Sequence, residues 1–133
     1  MCIRDSIICY DLRFPVTIRN TEDYDLLICV ANWPDTRVEA WDTLLKARAI
    51  ENQAYVIGVN RVGIDGSKLN YCGHSTIIDP MGKNIEEEKQ QNIFCAEIEK
   101  ETINKIRTSF PFLADRDHFK ICLLYTSPSP RDA

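Results

Sequence analysis

The amino-acid sequence predicts an α/β fold, and three observations lead to this prediction. Two continuous apolar runs, at residues 25–31 and 54–60, are bounded by polar residues and are typical of strands buried on both faces of a covered sheet. Between them, residues 37–52 carry apolar side chains at helical spacing, which predicts an amphipathic helix. Buried strands that alternate with helices are characteristic of the α/β class.

The first predicted strand lies in residues 7–15, where a short run rich in β-branched residues ends at Cys9. A polar residue, an arginine and a proline follow, which is typical of a strand that passes into a turn and a short helix. A cysteine at such a point is more often a buried structural group than a reactive one. The local pattern alone therefore leaves both roles of Cys9 open.

The strand at residues 25–31 ends at Asn32 and Trp33, which is another passage from strand to loop. If this strand is parallel and adjacent to the first, Asn32 and Trp33 lie at the same edge of the sheet as Cys9. Ligands bind at such carboxyl edges in α/β folds. Trp33 is then either a core residue or a pocket wall, and its place at a strand exit favours the wall. Asn32 is expected to fix the loop.

The helix at residues 37–52 is predicted to begin with a capping box, in which Thr36 caps the helix and Glu39 reaches back. Near its end, Arg48 and Glu51 are three residues apart and share one face, so an ion pair between them is the expected arrangement.

The chain after residue 60 predicts smaller elements. In order they are a loop at 63–70, a third strand at 75–79, a type I turn at 80–82, a solvated hairpin tip at 85–92, a fourth strand at 92–98, a helix at 99–109 and an extended tail at 110–121, which contains His118.

Composition excludes several classes of partner. The chain of 133 residues has a formal net charge of −4, with 44% hydrophobic and 27% charged residues, which is the composition of a soluble globular protein. A mildly acidic chain without a basic cluster argues against nucleic acid and anionic membrane as partners. No apolar run approaches the roughly 20 residues that cross a bilayer.

Cysteine usage indicates a reducing compartment, and hence the cytoplasm. Of the six cysteines in the sequence, Cys9, Cys29, Cys72 and Cys95 lie within residues 7–121, and they have no paired or framework spacing, which is typical of free thiols. Cys72 and His74 are close in sequence, but no second ligand pair with zinc spacing accompanies them, so no metal site is expected.

The two ends of the chain do not resemble protein that evolved to fold. One choice of codons for residues 1–6 contains the reverse complement of most of one choice for residues 122–127, which is the pattern of a sequencing adapter read in frame. We therefore expect 1–6 and 122–133 to be non-native and residues 7–121 to be a natural domain that is cut at both ends.

Four motifs occur in order along residues 7–121. They are Ile-Cys-Tyr-Asp-Leu-Arg-Phe-Pro at 8–15, Ala-Asn-Trp-Pro at 31–34, Ala-Arg-Ala-Ile-Glu-Asn at 47–52, and Gly-His-Ser at 73–75 with Asp-Pro-Met-Gly at 79–82. Together they closely resemble the carbon–nitrogen hydrolase (nitrilase) superfamily. The resemblance is greatest to the omega-amidase branch, which hydrolyses the terminal amide of 2-oxoglutaramate-like acids; Val16 and the Asn-Trp-Pro-Asp loop favour this branch.

The resemblance implies a four-layer α-β-β-α sandwich, of which this chain would be the C-terminal half. It also implies a Glu–Lys–Cys triad in which Cys9 is the nucleophile, with the backbone N–H of Tyr10 as an oxyanion donor. The implied substrate is a small amide, no metal or organic cofactor is required, and the full-length protein would be a homodimer.

The resemblance further implies that the triad glutamate and lysine lie upstream of Cys9, where only Ile7, Ile8 and the adapter-like segment remain. Lys46 and Glu51 belong to another motif and do not replace them. This chain is therefore expected to have negligible amidase activity and a bare apolar face. The alternatives are a deaminated-glutathione or N-carbamoyl amidase of the same superfamily and a non-catalytic nitrilase-like interaction module.

Arg13 and His74 each have two interpretations. Arg13 either pairs with a carboxylate such as Asp11 or Glu51, which we favour, or binds the substrate carboxylate, as Asn32 and Trp33 would bind the rest of the substrate. Asp11, Arg48 and Glu51 are expected to support the site structurally. His74 is expected to form a hydrogen bond at a strand entry, and the alternative is a Cys–His hydrolase pair with Cys9.

Overall fold

The structure is a computed structural model that describes residues 6–91 and 93–120. The adapter-like segments predicted at 1–6 and 122–133 lie outside this range except for Ser6, so that interpretation stays a prediction. The strands are β1 (Ile7–Ile8), β2 (Leu26–Ala31), β3 (Tyr55–Asn60), β4 (Val62–Ile64), β5 (Asn70–Cys72), β6 (Thr76–Ile78), β7 (Glu87–Gln90) and β8 (Ile93–Cys95); the α-helices are α1 (Pro15–Ile18), α2 (Val38–Asn52) and α3 (Lys100–Ser109); short 3-10 helices span Cys9–Arg13, Asp35–Arg37 and Phe112–Asp115.

A four-stranded sheet in the order β1-β2-β3-β6 forms the centre of the fold. Strands β1, β2 and β3 are parallel, and β6 is antiparallel to β3. The β2–β3 register runs from Leu26 opposite Tyr55 to Ala31 opposite Asn60. Both continuous apolar runs are therefore central strands, as the sequence predicts, and the α/β class is confirmed.

Helix α2 covers one face of this sheet. Its buried side chains include Trp41, Leu45 and Ala49, which belong to the main core together with residues of β2, β3 and β6. Close approach requires a glycine on β3, because a Cβ atom at Gly58 would lie 2.5 Å from Leu45 and 2.9 Å from Trp41. The helix therefore packs directly onto the strand backbone.

The predicted capping box at the start of α2 is wrong. The helix begins at Val38 after a 3-10 helix, and no side chain caps it. Within that short helix the backbone N–H of Arg37 donates to the carbonyl of Pro34 at 3.1 Å, and the N–H of Val38 donates to Asp35. Tightened backbone turns, rather than the Thr36 side chain, thus satisfy the N–H groups of Arg37 and Val38 where the helix begins.

Two segments beyond β3 differ from the sequence prediction. The predicted loop at 63–70 overlaps the two strands of a hairpin, in which β4 pairs with β5. Much of the predicted tip at 85–92 is strand β7, which pairs with β8. The side chain of Asp65 accepts hydrogen bonds from the backbone N–H groups of Ser67 and Leu69, at 2.8 and 3.0 Å, so a compact Asx-type turn closes the first hairpin.

The remaining predictions for this half of the chain agree more closely. The third strand is β6, and the turn after it is closed by the N–H of Gly82, which donates to the carbonyl of Asp79 at 2.9 Å. The predicted tail contains the 3-10 helix Phe112–Asp115 and is otherwise without regular structure up to residue 120.

Helix α3 covers one end of the opposite face of the sheet. Ile103 packs with Leu26 and Tyr55 in a second apolar cluster. A buried ion pair anchors the helix, since the fully buried carboxylate of Asp25 lies 2.7 Å from Lys100 Nζ and 3.1 Å from Arg107 Nη1.

The other end of that face is open. Ile8, Val30 and Val59 lie side by side in the register of β1, β2 and β3 and are 63%, 40% and 47% exposed. This row is the bare apolar face that the sequence analysis predicts. In the described part of the chain, no helix is long and apolar enough to span a membrane.

We predict that Asp25→Asn lowers the free energy of unfolding by about 3 kcal/mol, because it leaves two cations at the base of α3 without their buried counter-charge. Urea denaturation followed by circular dichroism measures the change. Glu101→Gln is the matched control: its ion pair with Lys105 is largely exposed, and its loss should cost less than about 0.5 kcal/mol. Equal costs for the two variants would contradict the buried anchor.

Candidate active site

Cys9 occupies a strained position at the end of β1. Its φ angle is +43°, a left-handed conformation that is uncommon for any residue other than glycine and that clusters at functional sites. It begins the 3-10 helix Cys9–Arg13. The N–H of Ile8 donates to Oδ2 of Asp11 at 3.2 Å, and this contact closes the turn around the cysteine.

Arg48 of α2 anchors this turn through hydrogen bonds to its backbone. Its guanidinium donates to the carbonyl of Leu12 through Nε at 3.1 Å and Nη2 at 2.6 Å, and Nη1 lies 3.0 Å from Oε1 of Glu51. The predicted ion pair is therefore present. Because the Arg48 side chain is almost fully buried, the charged hydrogen bonds fix the turn relative to the helix.

The Cys9 thiol faces the loop that follows β2. Its Sγ lies 3.9 Å from the backbone carbonyl oxygen of Asn32. The predicted common edge is therefore present, since β1 and β2 are adjacent and parallel. The N–H of Arg61, which follows β3, donates to the carbonyl of Ala31 at 3.1 Å, so the ends of three parallel strands meet beside the thiol.

Asn60, rather than Asn32, fixes the loop. Its Oδ1 accepts a hydrogen bond from the N–H of Trp33 at 2.7 Å, and its Nδ2 donates to the carbonyls of Trp33 and Gly73 at 2.9 and 2.7 Å. Asn60 is buried, whereas Asn32 is exposed. The sequence signal that could have found Asn60 is its place as the polar end of a buried run at the same edge.

Trp33 is a core residue, contrary to the favoured interpretation as a pocket wall. It is 3% exposed, packs against Trp41 with 5.6 Å between ring centroids, and donates from Nε1 to the carbonyl of Arg37 at 2.7 Å. A tryptophan that places its ring in the core and satisfies its N–H is stable without a ligand.

Arg13 makes neither of the ion pairs that the sequence suggests. Among the described residues no ion pair joins it to Asp11 or Glu51; Glu51 pairs with Arg48 instead. The guanidinium of Arg13 lies 4.7 Å from the centre of the Trp33 ring. This cation–π contact keeps the positive charge of Arg13 beside the loop.

Cys29 is a second thiol near the first, with the opposite environment. It is fully buried in the core, opposite Ile7 in the β1–β2 register. Burial raises the pKa of the Cys29 thiol to about 12, although a hydrogen bond from the backbone of Cys9 opposes the shift. Cys29 therefore remains protonated and inert at neutral pH, whereas Cys9 is partly exposed.

His74 is not a partner of Cys9 in the described residues. Its Nδ1 lies 2.9 Å from Oδ2 of Asp42, and its carbonyl accepts a hydrogen bond from Nε1 of Trp41 at 2.8 Å. His74 and Asp42 line a cavity of about 210 Å³ with Lys46 and Glu86. The expected hydrogen-bonding role is thus present, and the Cys–His pair is absent.

Among the described residues, no histidine, lysine or acidic side chain forms a hydrogen bond with the Cys9 thiol. Its Sγ contact is with the Asn32 carbonyl, and residues 6–91 and 93–120 contain no cluster of three or more histidine, cysteine or acidic side chains that could hold a metal. Thiol catalysis needs a base and a cation in contact with the reacting groups, and the described residues place neither in hydrogen-bond contact with Cys9 Sγ.

Comparison with known proteins assigns this arrangement to a family. The carbon-nitrogen hydrolase family profile matches residues 5–108. The chain belongs to the carbon-nitrogen hydrolase family. The omega-amidase YafV of Escherichia coli K12 is 48% identical over 117 residues, which cover 86% of this chain and 46% of the relative. The 2-oxoglutaramate amidase of Paenarthrobacter nicotinovorans is 40% identical over 111 residues, which cover 81% of this chain and 37% of the relative.

A solved structure supports the same assignment for the fold of this carbon-nitrogen hydrolase chain. A CN-hydrolase superfamily protein from Xanthomonas campestris, which carries an arsenic adduct in its active site, is 43% identical and superposes with a TM-score of 0.83. The match covers 90% of this chain and 48% of that protein. The chain spans less than half the length of these relatives.

We predict that Asn60→Ala lowers the free energy of unfolding by about 3 kcal/mol, because it removes three hydrogen bonds and leaves buried backbone groups of the Trp33 and Gly73 loops unpaired. Asn32→Ala, a matched change of an exposed side chain, should cost less than about 0.5 kcal/mol. Urea denaturation of the two variants decides which asparagine fixes the loop. The reverse order of costs would contradict the geometry described above.

Proposed function

We propose that Cys9 is the nucleophile of an amide hydrolase that releases ammonia from a small ω-amido acid such as 2-oxoglutaramate. The observation that carries the proposal is the strained, partly exposed Cys9 at the edge where the parallel strands end. The names of the relatives, omega-amidase and 2-oxoglutaramate amidase, support this class of substrate.

The reaction begins when the Cys9 thiolate attacks the amide carbon and a C–S bond forms. The carbonyl oxygen becomes an oxyanion. The backbone N–H of Tyr10, the residue that follows Cys9, is proposed to stabilise this oxyanion. The C–N bond then breaks, the nitrogen leaves as ammonia with a proton from a general acid, and a thioester remains. Water hydrolyses the thioester, releases the carboxylic acid and restores the thiol.

A Glu–Lys–Cys triad completes this scheme, with the glutamate as the acid–base group and the lysine as a cation at the oxyanion. No described residue of this chain occupies either role beside Cys9. We therefore propose that the 133-residue chain by itself has negligible amidase activity, and that residues from outside the described part supply the two groups.

A chimera tests the proposal. Residues 7–120 are joined behind the part of the E. coli omega-amidase that precedes its matched half. We predict that the chimera releases ammonia from 2-oxoglutaramate faster than from deaminated glutathione or an N-carbamoyl amino acid. Cys9→Ala should lower this rate by at least about 10³-fold, because the thioester can no longer form.

The control for the chimera is Cys72→Ala, which removes an exposed thiol and should leave the rate unchanged. Full activity in the Cys9→Ala chimera would rule out the nucleophile. A faster reaction with one of the other amides would leave Cys9 as the nucleophile and would replace 2-oxoglutaramate as the proposed substrate.

We propose that the intact protein is cytoplasmic and homodimeric. Four free cysteines among the described residues suit a reducing compartment. An exposed apolar patch beside the Cys9 turn, formed by Tyr10, Phe14 and Val16, suits burial against a second copy. Sedimentation velocity of the chimera should show a dimer that Phe14→Glu converts to a monomer. A dimer that Phe14→Glu leaves intact would exclude this patch.

A further inference from the structure

The edge of the sheet that carries Cys9 also carries a cation that the scheme above does not use. Arg61 follows β3 directly, and its N–H donates to the carbonyl of Ala31, the last residue of β2. Cys9 follows β1, and the order β1-β2-β3 therefore separates the two backbones by two strand spacings, which is about 10 Å.

The guanidinium of Arg61 is held by an aromatic ring. Its Cζ lies 4.9 Å from the centre of the Tyr71 ring, and the Tyr71 hydroxyl donates to Oδ2 of Asp65 at 2.9 Å. Tyr71 is 7% exposed, whereas Arg61 is exposed. No described carboxylate lies within ion-pair distance of Arg61. The Tyr71 ring therefore orients the planar guanidinium, and its N–H donors remain able to bind an anion.

The hairpin that carries Tyr71 is fixed against the Cys9 edge. Asn70 of β5 donates from Nδ2 to Oδ2 of Asp35 at 2.8 Å, and Asp35 begins the 3-10 helix that follows the Trp33 loop. The carbonyl of Gly73, just beyond β5, is held by Asn60. Two separate contacts therefore tie this hairpin to the loop that faces the thiol.

The positive charge of Arg61 also acts on Tyr71. The hydrogen bond to Asp65 and burial raise the pKa of the Tyr71 phenol, and the charge of Arg61 opposes this shift.

We propose that Arg61 binds the carboxylate of the ω-amido acid whose amide carbon is attacked by Cys9, and that it thereby selects an acid over a neutral amide. In a five-carbon ω-amido acid, four C–C bonds separate the amide carbon from the carboxylate carbon, a span of roughly 5 Å. The reach of the arginine side chain accounts for the rest of the distance between the strands. This inference rests on the proposed role of Cys9 and adds Arg61 as the residue that recognises the carboxylate at the far end of the substrate.

A pair of affinity labels tests the inference on the chain as it stands. The chloromethyl ketone 6-chloro-5-oxohexanoate places its carboxylate four bonds from the ketone carbon, and its methyl ester is the uncharged match. With either label the Cys9 thiolate forms a C–S bond to the CH2 carbon while the C–Cl bond breaks and chloride leaves. Peptide-resolved mass spectrometry gives the rate at Cys9, normalised to the exposed Cys95.

We expect Arg61→Gln to lower the acid-to-ester rate ratio at Cys9 about tenfold, with the ester rate unchanged, because a charge-assisted bidentate contact is lost. Arg61→Lys should retain part of the ratio, because the charge stays while the planar fork is lost. Lys105→Gln makes the same change in charge on α3, where the side chain is exposed, and should leave the ratio unchanged.

A second measurement does not depend on the rate of the acid label. Glutarate should slow labelling of Cys9 by the ester in the unchanged chain and should fail to do so in Arg61→Gln. An unchanged ratio and unchanged glutarate protection in Arg61→Gln, with Cys9 still reactive, would overturn the role of Arg61 alone. A Cys9 that reacts with neither label would instead overturn the proposed nucleophile, and the inference with it.

Discussion

The parallel register of β1, β2 and β3 is the constraint on which the rest of the structure depends. Because the three strands run in the same direction, Cys9, the Asn32 carbonyl and Arg61 emerge at one edge of the sheet. A thiol, a loop and a cation that are distant in sequence are thereby brought together on rigid elements. Helix α2 supports this edge by packing against the sheet, and this close packing is possible because Gly58 has no side chain to separate the helix from the β3 backbone.

Buried polar groups maintain the geometry at this edge. Arg48 binds the carbonyl of Leu12 in the 3-10 helix Cys9–Arg13, and Asn60 ties the loops of Trp33 and Gly73 together. Groups of this kind are costly to bury unless every partner is in place. Their satisfied hydrogen bonds explain how Cys9 keeps a left-handed backbone conformation at the end of a two-residue strand.

Much of the fold follows from the sequence, whereas less of the site does. The runs at 25–31 and 54–60 predict central strands because burial on both faces demands continuous apolar residues. The spacing of Arg48 and Glu51 predicts their ion pair. Local patterns fail where tertiary contacts decide: backbone turns replace the capping box at Thr36, an aromatic ring replaces a carboxylate as the partner of Arg13, and Asn60 rather than Asn32 fixes the loop. Those choices depend on which strand ends are neighbours, and that information is not local.

The sheet edge leaves the Cys9 thiol partly exposed, as the proposed nucleophile requires, while the same sheet buries Cys29 in the core. Alkylation of the native chain by iodoacetamide, resolved by peptide and repeated in urea, tests this claim most directly. We expect Cys9 to be modified in the native chain, and Cys29, whose pKa burial raises to about 12, to be modified only after unfolding. Protection of Cys9 to the same degree as Cys29 in the native chain would contradict it.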